Sequence, residues 1–306
     1  MVLDCPSETV LTEDKIEQWY QPESNRVLDF HGDPIKANLV VFSDGNHHMA
    51  LLQSLKAFYH EMPQVDDIFY VTTPPYPIVK LLKAGAIRLG NLTLSVRPHV
   101  FISPPDILER LKTEGYLNQH QFLAQTRGSV LLISRDNPKQ IESIQDLMRN
   151  DVRLFISNPE TEKTSNSGYR LTLEGMAKRQ GLDGEAFCRA VFGKTAVFGQ
   201  RIHHREAPEA VAAGQADVAI VYYHLALRYT RIFPDQFDTI PLGGTKTAPE
   251  PPLENLIGKI HLGLINDGGL WGEQFVVFMQ GETIARIYAQ HGLQHRRDVR
   301  HGAKGD

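Results

Sequence analysis

The residues of this 306-residue chain that could do chemistry gather where apolar runs give way to polar groups. Tyr222, Tyr223 and His224 end the run DVAIVY, and His203 and His204 stand just before the helix that leads into it. Ser43, Asp44, Gly45 and Asn46, with His47 and His48 behind them, follow the run NLVVF. Thr72 and Thr73 end DIFYV, and Ser165, Asn166 and Ser167 lie in a polar stretch beyond VRLFIS. Hydroxyls, amides and imidazoles are neutral hydrogen-bond donors, and a set of them suits a small anion. The histidines leave two sharper uses open: coordination of a transition metal, or pairing with an anion when protonated. Against both stands the plainer reading that adjacent histidines point to opposite sides and are solvated or cap helices. No cysteine or carboxylate cluster supports a metal, and no cofactor is expected. Asp44, His204 and Glu206 offer the ingredients of an acid/base set, yet no nucleophile motif, phosphate loop or dinucleotide fingerprint accompanies them, so an enzyme is not expected.

The elements that must position these groups are short buried strands alternating with helices, which implies α/β architecture with parallel sheets. DVAIVY reads as a strand buried on both faces. The helix before it, Arg205 to Gly214, puts Ala207, Ala210 and Val211 on one face and closes at Gly214, since glycine accepts the left-handed conformation of a helix end. Ligands of open α/β sheets sit at the carboxyl ends of strands, which is where Tyr222 and Tyr223 fall. NLVVF, a polar turn and a helix with Met49, Leu52, Leu55 and Tyr59 at helical spacing form a second such unit. The first amides of that helix lack intrahelical partners and suit an anion; that Asn46 merely caps the helix stays open. DIFYV leads to a short helix ending at Gly85, and HVFIS to a helix through Leu108 and Leu111.

Farther on, Val130 to Ile133 reads as a short apolar strand and Ile141 to Met148 as a helix. VRLFIS is a strand, Asn158 to Ser167 a polar loop, and Gly168 to Gln180 a helix. FDTIPL reads as a further strand, Thr245 to Glu254 as a proline-rich loop, Lys259 to Ile265 as a strand and Gly272 to Leu293 as one helix, with a frayed basic tail from His295. Residues up to about Ala37 read as an extension outside the sheet.

A hydrophobic content of 42%, 22% charged residues and a net charge of -4 describe an ordinary globular protein and offer no electrostatic case for nucleic acid. No apolar run approaches the roughly 20 residues that span a bilayer. The opening MVLDCPSETVLTEDK is acidic and polar, unlike a secretory signal, so the chain reads either as a mature form whose signal was removed or as cytoplasmic, with no lipid anchor expected at Cys5. Cys5 and Cys188 make no metal framework; a disulfide between them stays open, and Cys188 reads as a small apolar residue on a helix.

The order AGQAD, then DVAIVY, resembles the periplasmic solute-binding proteins of the molybdate and tungstate class, type II binding proteins that serve ABC transporters. HVFIS, LLISRDNPKQIESIQDL, FISNPETEKTSNSGYR and VFMQGETIARIYAQHGL are similar to segments of that family in the same order, so the resemblance runs from about Leu39 to Leu293. It implies a two-lobed type II fold with two crossing strands as hinge, the first at Val130 to Ile133 and the second at FDTIPL. Lobe 1 would span about 37–125 and 236–306, lobe 2 about 126–235, and the N-terminal extension 1–36. It implies a small anionic ligand held by hydrogen bonds in an interdomain cleft, and ABC transporter membrane subunits as partners; a cytoplasmic sensor on the same fold is the alternative. By position the ligand groups would be Tyr222 with its neighbour Tyr223, the loop of Ser43, Gly45 and Asn46, Thr72 and Thr73, then Ser165, Asn166 and Ser167, and His203 and His204. Pro74 and Pro75 stand where the family has small donors, and proline has no amide hydrogen to give. The tungstate branch places carboxylates near the positions of Ser165 and Val221, where this chain has none, so six-coordinate binding is not expected.

Overall fold

The computed structural model describes residues 29–89, 92–200 and 202–302. Cys5 and most of the expected N-terminal extension lie outside them. Two compact units divide the chain: a continuous one, Thr126–Ile257, and a discontinuous one formed by the described residues before and after it.

The discontinuous unit begins with β1 (Asp29–His31), β2 (Leu39–Ser43), α1 (His48–Glu61), β3 (Ile68–Thr72) and α2 (Pro75–Ala84). A hairpin of β4 (Ile87–Leu89) and β5 (Leu92–Leu94) follows, then β6 (Val100–Ser103), α3 (Pro105–Thr113) and β7 (His120–Gln125). The continuous unit holds β8 (Ser129–Ser134), β9 (Leu154–Ile156), α4 (Lys163–Arg179), α5 (Gly184–Ala190), β10 (Ala196–Phe198), α6 (His203–Ala212), β11 (Val218–Tyr222), α7 (Tyr223–Ile232) and β12 (Phe237–Pro241). The chain then returns through β13 (Lys259–Leu264), α8 (Gly272–Phe278), α9 (Glu282–Gln290), β14 (Gln294–His295) and α10 (Arg296–Gly302).

One sheet runs β1-β3-β2-β6-β13-β7-β14 and the other β10-β9-β11-β8-β12. β2 lies parallel to both β3 and β6, and β11 parallel to β9. Successive side chains of a strand face opposite sides. In β2, Leu39 and Val41 therefore enter a core with Leu51 of α1 and Ile284 of α9, while Val40 and Phe42 enter another with Ile78 of α2 and Leu108 of α3. In β11, Val218 and Ile220 pack with Leu173 of α4, and Ala219 and Val221 with Ala207 of α6 and Ala226 of α7. Each such aliphatic side chain taken wholly out of water contributes about 1.5–3 kcal/mol. That is why both runs are apolar at every position rather than at alternate ones.

Several expectations are corrected. Asp29–His31 belongs to the sheet, because the outer edge of β3 accepts it as an antiparallel strand. The first crossing is two strands rather than one: Gly128, at φ 71°, turns the chain between β7 and β8, and a Cβ there would lie 2.7 Å from the Asn255 amide nitrogen and from Pro251. The return falls between Ile257 and Gly258, not near position 235. β12 pairs with β8 from Phe237 to Pro241, and the Asn255 side chain clamps β8 by accepting from the Ser129 amide (2.7 Å) and donating to its carbonyl (2.9 Å). α4 starts at Lys163, so Ser165, Asn166 and Ser167 occupy its first turns instead of a loop. Ile144–Met148 is a short 3-10 turn held by Ser143 and Asp146 in a reciprocal capping box. The expected helix from Gly272 to Leu293 breaks into α8 and α9 at Gly281.

α6 contains Pro208, which has no amide to donate to the His204 carbonyl one turn earlier. The Tyr229 hydroxyl of α7 donates to that carbonyl instead. A hydrogen bond of this kind contributes about 0.5–1.5 kcal/mol net. Tyr229→Phe is therefore expected to lower unfolding free energy by about that amount in denaturant titration, and Pro208→Ala is expected to restore part of the loss by supplying an amide. Strictly additive effects of the two substitutions would count against this exchange of donors.

Candidate functional site

In the discontinuous unit the three neighbouring parallel strands end together. Ser43 of β2 is in register with Thr72 of β3 and Ile102 of β6. Thr73 donates its amide to the Ser43 carbonyl and Asp44 donates its own to that of Ile102, each at 3.0 Å. Asp44, not Asn46, caps the turn Gly45–His47: its carboxylate accepts from the Asn46 amide at 3.2 Å. Burial pushes the Asp44 carboxyl up to about 6. Ser43 is committed internally, its Oγ lying 3.0 Å from the Asp44 carbonyl and 2.9 Å from His47 Nε2. His47 Nδ1 in turn meets the Tyr288 hydroxyl at 3.0 Å. His48 donates from Nδ1 to the Gly45 carbonyl (2.9 Å), and Asn46 is exposed. Thr73 and Ser103 differ from these. Their residues are 1% and 0% exposed, and neither hydroxyl has a hydrogen-bond partner.

The continuous unit repeats the pattern. Ser157 follows β9, and Ser129 of β8 lies opposite Tyr222 of β11. Ser157 and Ser129 are 0% and 1% exposed, again with unpartnered hydroxyls. Asn166, buried in the first turn of α4, donates to the Ser157 carbonyl at 2.7 Å. Ser165 is half-buried beside it and Ser167 exposed. Tyr222 is half-buried and belongs to a file of rings in contact: Phe155 on His203 at 5.6 Å, His203 on Tyr169 at 5.0 Å, Tyr169 on Tyr222 at 5.2 Å, and Tyr222 on His224 at 5.8 Å. Tyr223 turns into the α6–α7 core and its hydroxyl donates to the Thr247 carbonyl at 3.4 Å.

His203, the first residue of α6, is 2% exposed, and its Nε2 has no hydrogen-bond partner. Burial depresses its pKa to about 3, so the ring stays neutral. Its backbone amide donates to both carboxylate oxygens of Glu162, at 3.1 and 3.3 Å. Burial pushes Glu162 up to about 7; that amide opposes the shift and nearby Glu206 adds to it. Glu206 accepts from the Gln200 amide at 3.1 Å.

Of the residues expected from sequence, Ser43, Gly45, Asn46, Thr72 and Thr73 thus gather at one sheet end, and Ser165, Asn166, Ser167, His203, His204 and Tyr222 cluster near the end of the other, with Tyr223 turned inward. Ser103, Ser129, Ser157 and Glu162 were not singled out. A signal for two of them is present in the sequence: the runs before Ser43, Ser103 and Ser157 each end in aromatic and aliphatic residues followed at once by serine. Glu162 has no such signal, because the amide it meets is 41 residues away.

Two sheets with helices on their faces, and strand ends carrying buried donors, define the class as a type II periplasmic-binding fold. The chain belongs to the bacterial extracellular solute-binding protein family, whose model matches residues 39–294. No curated protein sequence matches it. Among solved structures it is similar to Peb3 with bound L-phospholactate (14% identity, TM-score 0.59, 84% of this chain and 99% of that one); a further Peb3 structure names Campylobacter jejuni as its source. It is also similar to the substrate-binding domain assigned to a molybdenum ABC transporter of Clostridium difficile (15%, 0.59, 84% and 97%). A third is the periplasmic molybdate-binding protein of Azotobacter vinelandii (17%, 0.53, 83% and 98%). At these identities the likeness shows the fold. No helix among the described residues is long and apolar enough to cross a membrane.

The neutral burial of His203 has a pH signature. The unfolded chain binds a proton at this residue near pH 6.5, the folded chain only near 3, so stability falls as pH drops through that window. Glu162, whose folded pKa is raised, acts with the opposite sign between about 4.5 and 7. The wild type is expected to lose up to about 1.4 kcal/mol per pH unit relative to His203→Phe between about pH 6.5 and 3. Parallel stability curves for the two proteins would contradict this.

Proposed function

We propose that this protein captures a small anionic ligand in the periplasm and delivers it to the membrane subunits of an ABC transporter. The observation that carries the reading is the set of four buried hydroxyls without partners, Thr73, Ser103, Ser129 and Ser157, all at or beside the ligand-side ends of strands. A buried donor left unpaired costs about 1–3 kcal/mol, and a native structure keeps few of them. A ligand that accepts from these hydroxyls recovers that cost on binding. Molybdate in one structural relative and L-phospholactate in another are anions, which supports the same class of ligand here.

The arrangement favours binding over turnover. Ser43 beside His47 has the outline of a nucleophile and base, but its hydroxyl already donates to the Asp44 carbonyl within its own loop. Tyr222, half-buried at the end of β11, is the tyrosine best placed to add a donor.

Thermal-shift and calorimetric titration with oxyanions and small organic anions tests the reading. A ligand at one hundred times its dissociation constant is expected to add about 2.7 kcal/mol of stability. Ser103→Ala, Ser157→Ala and Tyr222→Phe are each expected to weaken binding about tenfold. The two serine substitutions are also expected to leave the ligand-free protein equally or more stable, because each removes an unsatisfied polar group. Unchanged affinity in all three variants would sink the proposal.

A further inference from the structure

In the continuous unit the expected ligand groups meet a negative one. The exposed end of a helix attracts anions because its first amides point outward unpaired and the helix dipole is positive there. At α6 that opportunity is already taken: the His203 amide donates to both oxygens of the Glu162 carboxylate. Glu162 stands at the start of α4, one turn before Asn166, whose amide group holds the carbonyl of Ser157. The unpartnered Ser157 hydroxyl and the unpartnered His203 Nε2 belong to the same cluster and call independently for a ligand. An ionised carboxylate offers acceptors only.

We infer that Glu162 selects a ligand which brings a hydrogen-bond donor of its own: a small organic anion bearing a hydroxyl or amino group, rather than a bare oxyanion such as molybdate or sulfate. This rests on the proposed function and narrows its ligand class. A bare oxyanion at this position faces like charge from Glu162 and again from Glu206, which lies near enough to act on it. The two buried rings of this cluster, His203 and Tyr169, do not offset that charge. His203 is held neutral by burial, and burial likewise keeps the Tyr169 phenol protonated. A donor on the ligand turns the repulsion into a charge-assisted hydrogen bond. The discontinuous unit follows the same plan, with the Asp44 carboxylate buried next to the strand ends that carry Thr73 and Ser103. Sites that hydrogen-bond a polar group on the ligand discriminate strongly against analogues lacking it, since the site's own group is then left unpaired.

The test compares matched probes at about pH 8.5, where Glu162 is ionised, by calorimetry: lactate with propionate, glycine with acetate, and sulfate and molybdate as oxyanions without a donor. Wild-type protein is expected to bind lactate or glycine at least tenfold more tightly than the matched acid. Glu162→Gln keeps an acceptor for the His203 amide while removing the charge. It is expected to reduce that preference about tenfold and to strengthen sulfate and molybdate, with an unfolding midpoint equal to or above that of the wild type in the absence of ligand, because burial of the Glu162 charge costs stability. Tighter wild-type binding of sulfate or molybdate than of either donor-bearing probe overturns the inference and leaves the proposed function standing. So does a preference that Glu162→Gln does not alter. Binding of none of the six probes overturns the proposed function itself.

Discussion

Burial of short parallel strands on both faces is the constraint from which the rest of this structure follows. β2 and β11 are covered on each side by helices, so their side chains are apolar throughout and their polar groups are pushed to the ends. At those ends the covering helices are just beginning, and hydroxyls such as Ser103 and Ser157 are enclosed without partners. An interior that tolerates such groups has given up stability locally, and a ligand is the natural source of the missing acceptors.

The two units solve the problem of holding their loops in different ways. In the discontinuous unit a buried relay, Ser43 to His47 to Tyr288, ties the loop after β2 to α9. In the continuous unit a file of rings from Phe155 to His224 supports Tyr222 from behind, and Tyr229 repairs the hydrogen bond that Pro208 removes from α6. Each device locks side-chain rotamers next to the strand ends, so the donors are positioned before any ligand arrives, and less ordering entropy is lost on binding.

Electrostatics gives the site its character. Asp44 and Glu162 are both pushed up by burial, and both accept hydrogen bonds from backbone amides at the start of turns or helices. Neutral donors and high-pKa carboxylates together make a surface that can both give and accept hydrogen bonds.

Periodicity and the order of motifs were enough to place the buried strands, most helices, the α/β class and the broad solute-binding family, but not its molybdate branch. Apolar burial is a local property, written residue by residue in runs such as NLVVF and DVAIVY. The loops of Ser43 to Asn46 and of Thr72 and Thr73, and Tyr222 at its strand end, were legible for the same reason. Three features depended on residues distant in sequence and became visible only in the tertiary structure. β1 joins the sheet because β3 has an open edge, and β12 stays with the continuous unit because β8 pairs with it and Asn255 clamps the junction. Glu162 finds the His203 amide across 41 residues. Sequence pattern reports which groups must leave water; which polar groups then meet one another is decided by packing.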